Sequence, residues 1–484
     1  DFSHYTDYFN GMEDENIVQA IPNAKASEWM EDNIPLFECP QRNFEEMYYY
    51  RWWSLRKHIK ETPVGYGMTE FLVQRSYSDK YNLIACAIGH HIYESRWLRD
   101  PKYLDQIIHT WYRGNDGGPM KKMNKFSSWN ADAVLARYMV DGNKGFMLDM
   151  KKDLETEYQR WERTNRLKNG LYWQGDVQDG MEESISGGRK KKYARPTINS
   201  YMYGNAKALS CMGILSGDEG MAMKYGMRAD TLRNLVENEL WNTRHQFFET
   251  MRTDSSANVR EAIGYIPWYF NLPDTTKKYE VAWKEILDEK GFSAPYGLTT
   301  AERRHPEFRT RGVGKCEWDG AIWPFASAQT LTAMANFMNN YPQTVLSDSV
   351  YFRQMELYVE SQYHRGRPYI GEYLDEVTGY WLKGDQERSR YYNHSTFNDL
   401  MITGLIGLRP RLDNTIEVNP LIPVDKWDWF CLDNVLYHGH NLTILWDKNG
   451  DRYHCGKGLR IFVDGKEVGH ADTLTRIVCK DVLK

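Results

Sequence analysis

The sequence predicts a mainly helical chain that closes into a toroid and ends in a small β-rich domain. Three observations support this fold class. Apolar residues recur at helical spacing from about residue 42 to residue 408, short β-rich runs replace them after residue 409, and no sharp internal repeat at a solenoid period is present. A closed ring of helices at residues 1–408 is therefore favoured over a stacked array, with the β-rich domain at residues 409–484.

Helical stripes cover most of the first domain. Ile84, Ile88 and Ile92 share one face of a predicted helix, and Met334 and Met338 share one face of a later helix. About ten to twelve segments of ordinary helix length fit into this part of the chain. A small exposed bundle does not need so many helices, whereas a ring does.

Four β-rich runs make up the second domain, at residues 415–421, 434–437, 441–446 and 459–468. Asn449-Gly450 and Asp464-Gly465 are dipeptides typical of hairpin turns. The pattern predicts a small antiparallel sheet that packs against the helices.

Composition excludes several classes of protein. The 61 Lys and Arg residues and 66 Asp and Glu residues give a net charge of -5, which favours neither nucleic acid nor an anionic membrane as a partner. No run of 18 apolar residues predicts a membrane span. The 7 cysteines are scattered without a CxxC pair, so they indicate neither a zinc site nor a disulfide framework. The 17 Trp and 33 Tyr residues outnumber the 18 Phe residues, a bias that suits sugars, which pair an apolar face with a rim of hydroxyls.

Three predicted loops, at residues 172–195, 296–323 and 367–394, are dense in glycine, carboxylates and aromatic residues. Each lies between helical stripes, where binding and catalytic groups are commonly held on a rigid scaffold. In the first loop, Asp176, Asp179, Glu182 and Glu183 lie close together beside Trp173. Crowded carboxylates raise one another's pKa, and a carboxyl that stays protonated near neutral pH can act as a general acid. A solvated acidic loop is the alternative interpretation.

The second loop places Trp318 and Trp323 on either side of Gly320, just before a predicted helix that begins at Pro324. The two indoles form either a stacking platform for a sugar or part of the core, and the sequence does not decide between these interpretations.

The third loop contains Glu372 in an otherwise apolar and aromatic run. Such a carboxylate either pairs with an arginine such as Arg367 or activates a water as a general base. Inverting glycoside hydrolysis needs a protonated carboxyl and a second carboxylate about 6.5 to 9.5 Å apart. Two carboxylate-bearing loops at one mouth of a helical ring would meet that requirement.

Motifs for other chemistries are missing from the sequence. The histidines lack the His-Glu-x-x-His spacing of a zinc hydrolase, no Gly-x-Ser-x-Gly elbow is present, and no Gly-x-Gly-x-x-Gly follows a predicted strand. The sequence therefore predicts neither a metal nor an organic cofactor.

Four motifs in order resemble the (α/α)6-barrel glycosidases of glycoside hydrolase family 63 and the related mannosylglycerate-hydrolase-like and trehalase-like enzymes. The resemblance spans about residues 75–408. The segments that carry it are Ser78–Tyr81, Gln178–Ser184 with the following Ile198–Tyr203, Trp318–Trp323 and Glu372–Gly379. It implies an (α/α)6 toroid, a catalytic acid at Glu182 and a catalytic base at Glu372. The family acid is an aspartate, so the acid stays open among Glu182, Glu183 and Asp179.

We accordingly predict an inverting, exo-acting glycoside hydrolase that releases a non-reducing-end sugar from an oligo- or polysaccharide. The residues that we expect around the sugar are Trp173, Asp179, Trp318, Trp323, Asp79, Asp319 and His394. The alternatives are a polysaccharide lyase on a similar toroid and a non-catalytic carbohydrate-binding protein. The resemblance further implies a bacterial periplasmic or exported protein, and the sequence leaves the sugar, its linkage and the oligomeric state open.

Overall fold

The computed structural model describes residues 1–484, with helices through most of the chain and an antiparallel sheet at its end. No helix is both long enough and apolar enough to cross a bilayer. The α-helices are α1 (Ser3–Asn10), α2 (Ala26–Asn33), α3 (Arg42–Lys57), α4 (Ile88–Ser95), α5 (Lys102–Arg113), α6 (Asn130–Asp141), α7 (Lys144–Asp149), α8 (Lys151–Asn165), α9 (Pro196–Ser216), α10 (Glu219–Leu235), α11 (Ile266–Tyr269), α12 (Pro324–Asn340), α13 (Asp348–Ser361) and α14 (Asn398–Leu400). Short 3₁₀ segments span Asn23–Lys25, Lys80–Asn82, Ala85–Ala87, Val177–Asp179, Ala262–Tyr265, Glu280–Ile286 and Glu387–Ser389, and π-helical turns span Val236–Leu240 and Met401–Ile406.

The helices differ in how far they are buried. Helices α9 and α12 each begin with a proline in the first turn and are buried on nearly all sides over their first halves. Helices α8 and α10, which pack against α9, bury only one stripe and expose the rest. This difference separates an inner layer of helices from an outer one.

The largest sheet is antiparallel, with the strand order β1-β15-β16-β17-β18. The remaining strands pair two by two. The bounds are β1 (Leu36–Glu38), β2 (Ile59–Thr62), β3 (Gly65–Met68), β4 (Trp173–Gln174), β5 (Tyr193–Ala194), β6 (Trp241–Asn242), β7 (Phe247–Phe248), β8 (Ser293–Ala294), β9 (Gly297–Leu298), β10 (Tyr363–His364), β11 (Arg367–Pro368), β12 (Tyr373–Leu374), β13 (Trp381–Leu382), β14 (Ile416–Val418), β15 (Trp429–Tyr437), β16 (His440–Asp447), β17 (Gly458–Val463), β18 (Lys466–Ala471) and β19 (Ile477–Cys479).

The predicted turn at Asp464 and Gly465 joins β17 to β18, and both residues have positive φ, at 48° and 82°. This is the backbone that a two-residue hairpin of type I′ requires. The predicted single run at residues 459–468 is therefore two strands.

Strand β1 belongs to the N-terminal part of the chain, yet it pairs with β15 at the edge of the C-terminal sheet. Pairing satisfies backbone groups of β15 that an open edge would leave exposed. Trp427 adds a second junction, because its ring lies edge-on to Phe44 at 5.2 Å and to Phe352 at 5.5 Å. The helices and the sheet thus share one apolar core.

Candidate active site

The three predicted loops meet at one place. Arg311 of the second loop donates hydrogen bonds to the backbone oxygens of Ser184 at 3.0 Å and Ile185 at 2.9 Å in the first loop. Ile322 and Leu374 exchange backbone hydrogen bonds of 3.1 and 2.9 Å between the second and third loops. The loop that carries Glu182 and the loop that carries Glu372 are therefore both held by the loop between them.

Charged side chains reinforce the junction of the second and third loops. The guanidinium of Arg309 lies 3.0 Å from Glu317, 2.6 Å from Asp375 and 2.7 Å from Glu376. Asp319 orders the same loop, since one of its oxygens accepts two backbone N–H groups at 2.7 and 3.0 Å. Its second oxygen is buried without a partner.

The first loop is a long excursion closed at its base by the pairing of β4 with β5. Gly180 turns the chain in this loop with a φ of 72°, and a Cβ at this position would lie 2.4 Å from the sulfur of Cys86. Only glycine fits both the left-handed backbone and this close approach. The turn presents Glu182 to the pocket two residues later.

Asp179 anchors the loop. Its carboxylate pairs with Arg195 at 2.6 Å, both side chains are fully buried, and Thr197 donates a hydrogen bond to the same oxygen at 2.6 Å. Ser127 donates to the other oxygen. Both carboxylate oxygens of Asp179 therefore accept hydrogen bonds from the protein, and this carboxylate stabilises the loop. Its role as a sugar contact stays a prediction.

We expect Asp179→Asn to destabilise the fold by roughly 3–5 kcal/mol, because it leaves the buried guanidinium of Arg195 without an ionic partner. Chemical denaturation followed by circular dichroism measures this loss. The matched control is Glu183→Gln. Glu183 forms a long ion pair of 3.7 Å with the exposed Arg189, and such a pair contributes no more than about 1 kcal/mol to stability. Parental stability combined with lost activity in Asp179→Asn would instead favour Asp179 as the acid.

Glu182 carries the electrostatic signature of an acid. Burial, together with the nearby charges of Glu372 and Asp176, raises its pKa to about 7. The charge of Glu372 acts on Glu182, so the two carboxyls lie within electrostatic reach of each other. Among the three residues that the sequence left open, Glu182 is the one without an ion pair, since Asp179 pairs with Arg195 and Glu183 with Arg189.

Glu372 lies in a more cationic part of the pocket. Burial raises its pKa, and the positive charges of Lys383, Arg388 and Arg75 oppose that rise. The pairing of β12 with β13 brings the ammonium of Lys383 to 4.0 Å from Glu372. The sequence offered Arg367 as a partner, but that side chain instead donates to the backbone oxygen of Met12 at 2.6 Å.

Cys316 lies beside Glu372, with its sulfur 3.9 Å from one carboxyl oxygen and 4.0 Å from the ammonium of Lys383. Burial and the charges of Glu182 and Glu372 raise the pKa of this thiol to about 12. The thiol is therefore protonated. As an uncharged hydrogen-bond donor to Glu372, it lowers the pKa of that carboxyl.

Sequence reasoning missed Glu70, a further buried carboxyl on which the charges of Glu182 and Glu372 act. Burial, followed by the charges of Glu372 and Glu182, raises its pKa well above the usual range. The residue follows β3 in an ordinary run of small and apolar residues, with no second carboxylate near it in sequence. No pattern could have identified it without the fold.

The tryptophans are placed differently from one another. Trp323 stacks on Trp318 at 4.6 Å and on Tyr373 at 4.6 Å, so neighbouring rings cover both faces of its indole. Trp323 therefore matches the core interpretation. Trp318 is also buried, and its indole nitrogen has no partner. Trp173 is half-buried, with the ammonium of Lys192 4.8 Å from its ring centre.

His394 lies deep in the pocket wall, tilted against Tyr392 with ring centres 3.9 Å apart. Burial, and then the neighbouring His90, lowers its pKa well below the usual range, so the ring is neutral. A contact with the backbone of Glu372 opposes this shift and places the ring beside the proposed base. Asp79 differs, because its oxygens accept the backbone N–H groups of Lys80, at 2.7 Å, and Lys122 in a surface turn.

Comparison with known families gives two domain matches. Residues 80–395 match the profile of the mannosylglycerate hydrolase MGH1-like glycoside hydrolase domain, and residues 408–470 match that of the C-terminal domain of glycosyl hydrolase family 65. A solved structure named sialidase is 95% identical with a TM-score of 0.99; the match covers 99% of this chain and 44% of that one. This chain thus spans less than half the length of that protein.

Two distant structures share the fold. The mannosylglycerate hydrolase of family 63 from Thermus thermophilus, in complex with glucose, is 11% identical with a TM-score of 0.52, over 74% of this chain and 98% of that one. The family 78 rhamnosidase of Bacillus sp. GL1 is 12% identical with a TM-score of 0.59, over 89% of this chain and 41% of that one. The predicted (α/α)6 toroid with a C-terminal antiparallel sheet is confirmed.

Proposed function

The chain belongs to the mannosylglycerate hydrolase MGH1-like glycoside hydrolase family, and on this premise we propose that it is an inverting, exo-acting glycosidase. The substrate would be the non-reducing end of an oligo- or polysaccharide. Glu182 would be the general acid and Glu372 the general base. Support for this proposal comes from the site rather than from the names of the similar proteins.

The observation that carries the proposal is the unequal environment of two carboxyls that lie within electrostatic reach of each other. Glu182 has no ion pair and a pKa of about 7, whereas Glu372 has an ammonium 4.0 Å away and two further cations nearby. Burial raises the pKa of both carboxyls, and the cations around Glu372 oppose its rise, which favours Glu182 as the proton donor and Glu372 as the proton acceptor.

In the proposed reaction, Glu182 gives its proton to the glycosidic oxygen while the bond from that oxygen to the anomeric carbon breaks. Glu372 takes a proton from a water, whose oxygen forms the new bond to the anomeric carbon on the opposite face. The neutral His394 would line the sugar site, and the indole N–H of Trp318, which has no partner within the protein, would donate to a sugar hydroxyl. Because the reaction is a single displacement in which water attacks the face opposite the leaving alcohol, the anomeric configuration inverts.

A panel of aryl glycosides followed by proton NMR tests the proposal. We expect release of one monosaccharide whose first detectable anomer is opposite to that of the substrate. Retention of configuration would contradict the inverting mechanism. An unsaturated product that absorbs in the ultraviolet would instead indicate a lyase, and binding without turnover would indicate a carbohydrate-binding protein.

The pH dependence follows from the same two groups. Glu182 must be protonated, so kcat/KM should fall as pH rises through about 7, and Glu372 must be ionised, so kcat/KM should fall as pH drops through its raised pKa. A bell-shaped profile is expected. The remaining activity of Glu182→Gln on an activated aryl glycoside should lack the alkaline limb, and an unchanged alkaline limb would contradict the assignment.

An exported or periplasmic location is part of the proposal. It is supported only by the resemblance to exported polysaccharide-degrading enzymes. Fractionation of the native cells tests it directly.

A further inference from the structure

Glu70 is a buried carboxyl on which the charges of both the proposed acid and the proposed base act. On one side, its backbone oxygen accepts the N–H of Asn393 at 2.9 Å, and Tyr392 contacts its carboxyl at 3.4 Å. Tyr392 in turn packs on His394, which is next to Glu372. Contacts therefore connect Glu70 to the base side of the pocket.

Cys86 makes the connection to the acid side. Its sulfur lies 3.9 Å from the backbone oxygen of Asp179 and directly under Gly180, in the turn that presents Glu182. The charges of Glu70 and Glu182 both raise the pKa of this thiol. Glu70 is thus within electrostatic reach of both Glu182 and Glu372.

The carboxyl of Glu70 has few partners for a buried group. Its only side-chain hydrogen bond is the long one from Tyr392, and no lysine or arginine pairs with it. The carboxyl oxygen that Tyr392 does not contact keeps access to solvent, so a ligand can reach it. The proposed acid and base need a sugar to lie between them, and a sugar supplies the hydroxyls that would complete this carboxyl.

We infer that Glu70 is a specificity-determining residue, which contacts a hydroxyl of the sugar held between Glu182 and Glu372. This inference rests on the proposed function. The surrounding carboxyls and burial favour the neutral form of Glu70, which can donate one hydrogen bond as well as accept. A neutral donor beside the reacting centre selects a sugar by the position of one oxygen and leaves the charge balance of the acid and base unchanged.

The test compares Glu70→Gln with Glu70→Ala on the aryl glycoside that the parent hydrolyses. Glutamine has the shape of a neutral carboxyl and can donate, so kcat/KM should stay within about fivefold of the parent, whereas alanine should lower it by at least about thirtyfold. A series of monodeoxy aryl glycosides locates the contact. In the parent, removal of one particular hydroxyl should lower kcat/KM by the same factor as Glu70→Ala does. In Glu70→Ala, removal of that hydroxyl should cause no further loss of kcat/KM.

Glu157→Gln is the matched control, because Glu157 is also buried and accepts a hydrogen bond from Asn130 at 3.1 Å, but it lies on α8 away from the pocket. It should leave kcat/KM unchanged. Thermal unfolding of each variant separates lost contacts from lost folding. If Glu70→Ala does not fold, the deoxy series measured on the parent and on Glu70→Gln still tests the contact.

Two outcomes would overturn the inference. If Glu70→Gln is as inactive as Glu372→Gln, an ionised Glu70 is required. If Glu70→Ala folds and keeps the parental kcat/KM, Glu70 makes no contact with the sugar. If the parent hydrolyses no glycoside, the proposed function fails on its own. Quenching of tryptophan fluorescence by free monosaccharides then tests the contact, with at least tenfold weaker binding expected for Glu70→Ala and equal binding overturning it.

Discussion

Glu372→Gln should lower kcat by roughly 10²–10⁴-fold and change KM little, because an amide cannot take a proton from the attacking water. The buried position of Glu372 next to Lys383 makes this substitution a clean removal of one negative charge. Steady-state kinetics on the aryl glycoside chosen from the panel measures the effect. Substrate binding should survive, since the side-chain shape is kept.

An exposed glutamate in the same loop, Glu387, provides the control for Glu372. Glu387→Gln should keep parental kcat and KM. A smaller variant, Glu372→Ala, should recover activity with azide, because the anion can enter the space of the missing water and base and attack the same face of the sugar. The product should be a glycosyl azide of inverted configuration. Parental activity in Glu372→Gln, or a glycosyl azide with retained configuration, would contradict the role of Glu372 as base.

Much of the site could be predicted from the sequence because the loops are marked by composition. Glycines, carboxylates and aromatic residues are concentrated between helical stripes, and this concentration identified the loops that carry Glu182 and Glu372. What connects the loops could not be predicted, because Arg309 and Arg311 make ion pairs and hydrogen bonds across long stretches of chain. Sequence spacing contains no information on such contacts.

Residues with two plausible roles were the hardest to assign. Trp318 and Trp323 have the same local sequence whether they stack on a sugar or on each other, and only the position of Tyr373 shows that both faces of Trp323 are covered. Strand β1 is too short for a periodic pattern, so its addition to the C-terminal sheet depends on tertiary pairing alone. Glu70 belongs to the same class, since its neighbours in space come from distant loops.

Glu182→Gln should have an effect that depends on the leaving group. Protonation of the glycosidic oxygen matters most when the departing alcohol is a poor leaving group, so we expect kcat/KM to fall by roughly 10³–10⁴-fold for a sugar or alkyl leaving group. An activated nitrophenol departs without a proton and should lose far less. The measurement is kcat/KM for one sugar across a series of leaving groups, in the parent and in the variant.

The slope of that series identifies the acid among the residues that the sequence left open. A variant without the acid should show a steep dependence of rate on leaving-group pKa, whereas a variant that only weakens the loop should lower all rates by one factor. Glu183→Gln should therefore run parallel to the parent, since Glu183 pairs with the exposed Arg189 outside the buried pocket. Asp179→Asn should also run parallel, if it folds, because its carboxylate is occupied by Arg195. A steep slope in either of these variants, with a flat one in Glu182→Gln, would move the acid from Glu182 to that residue.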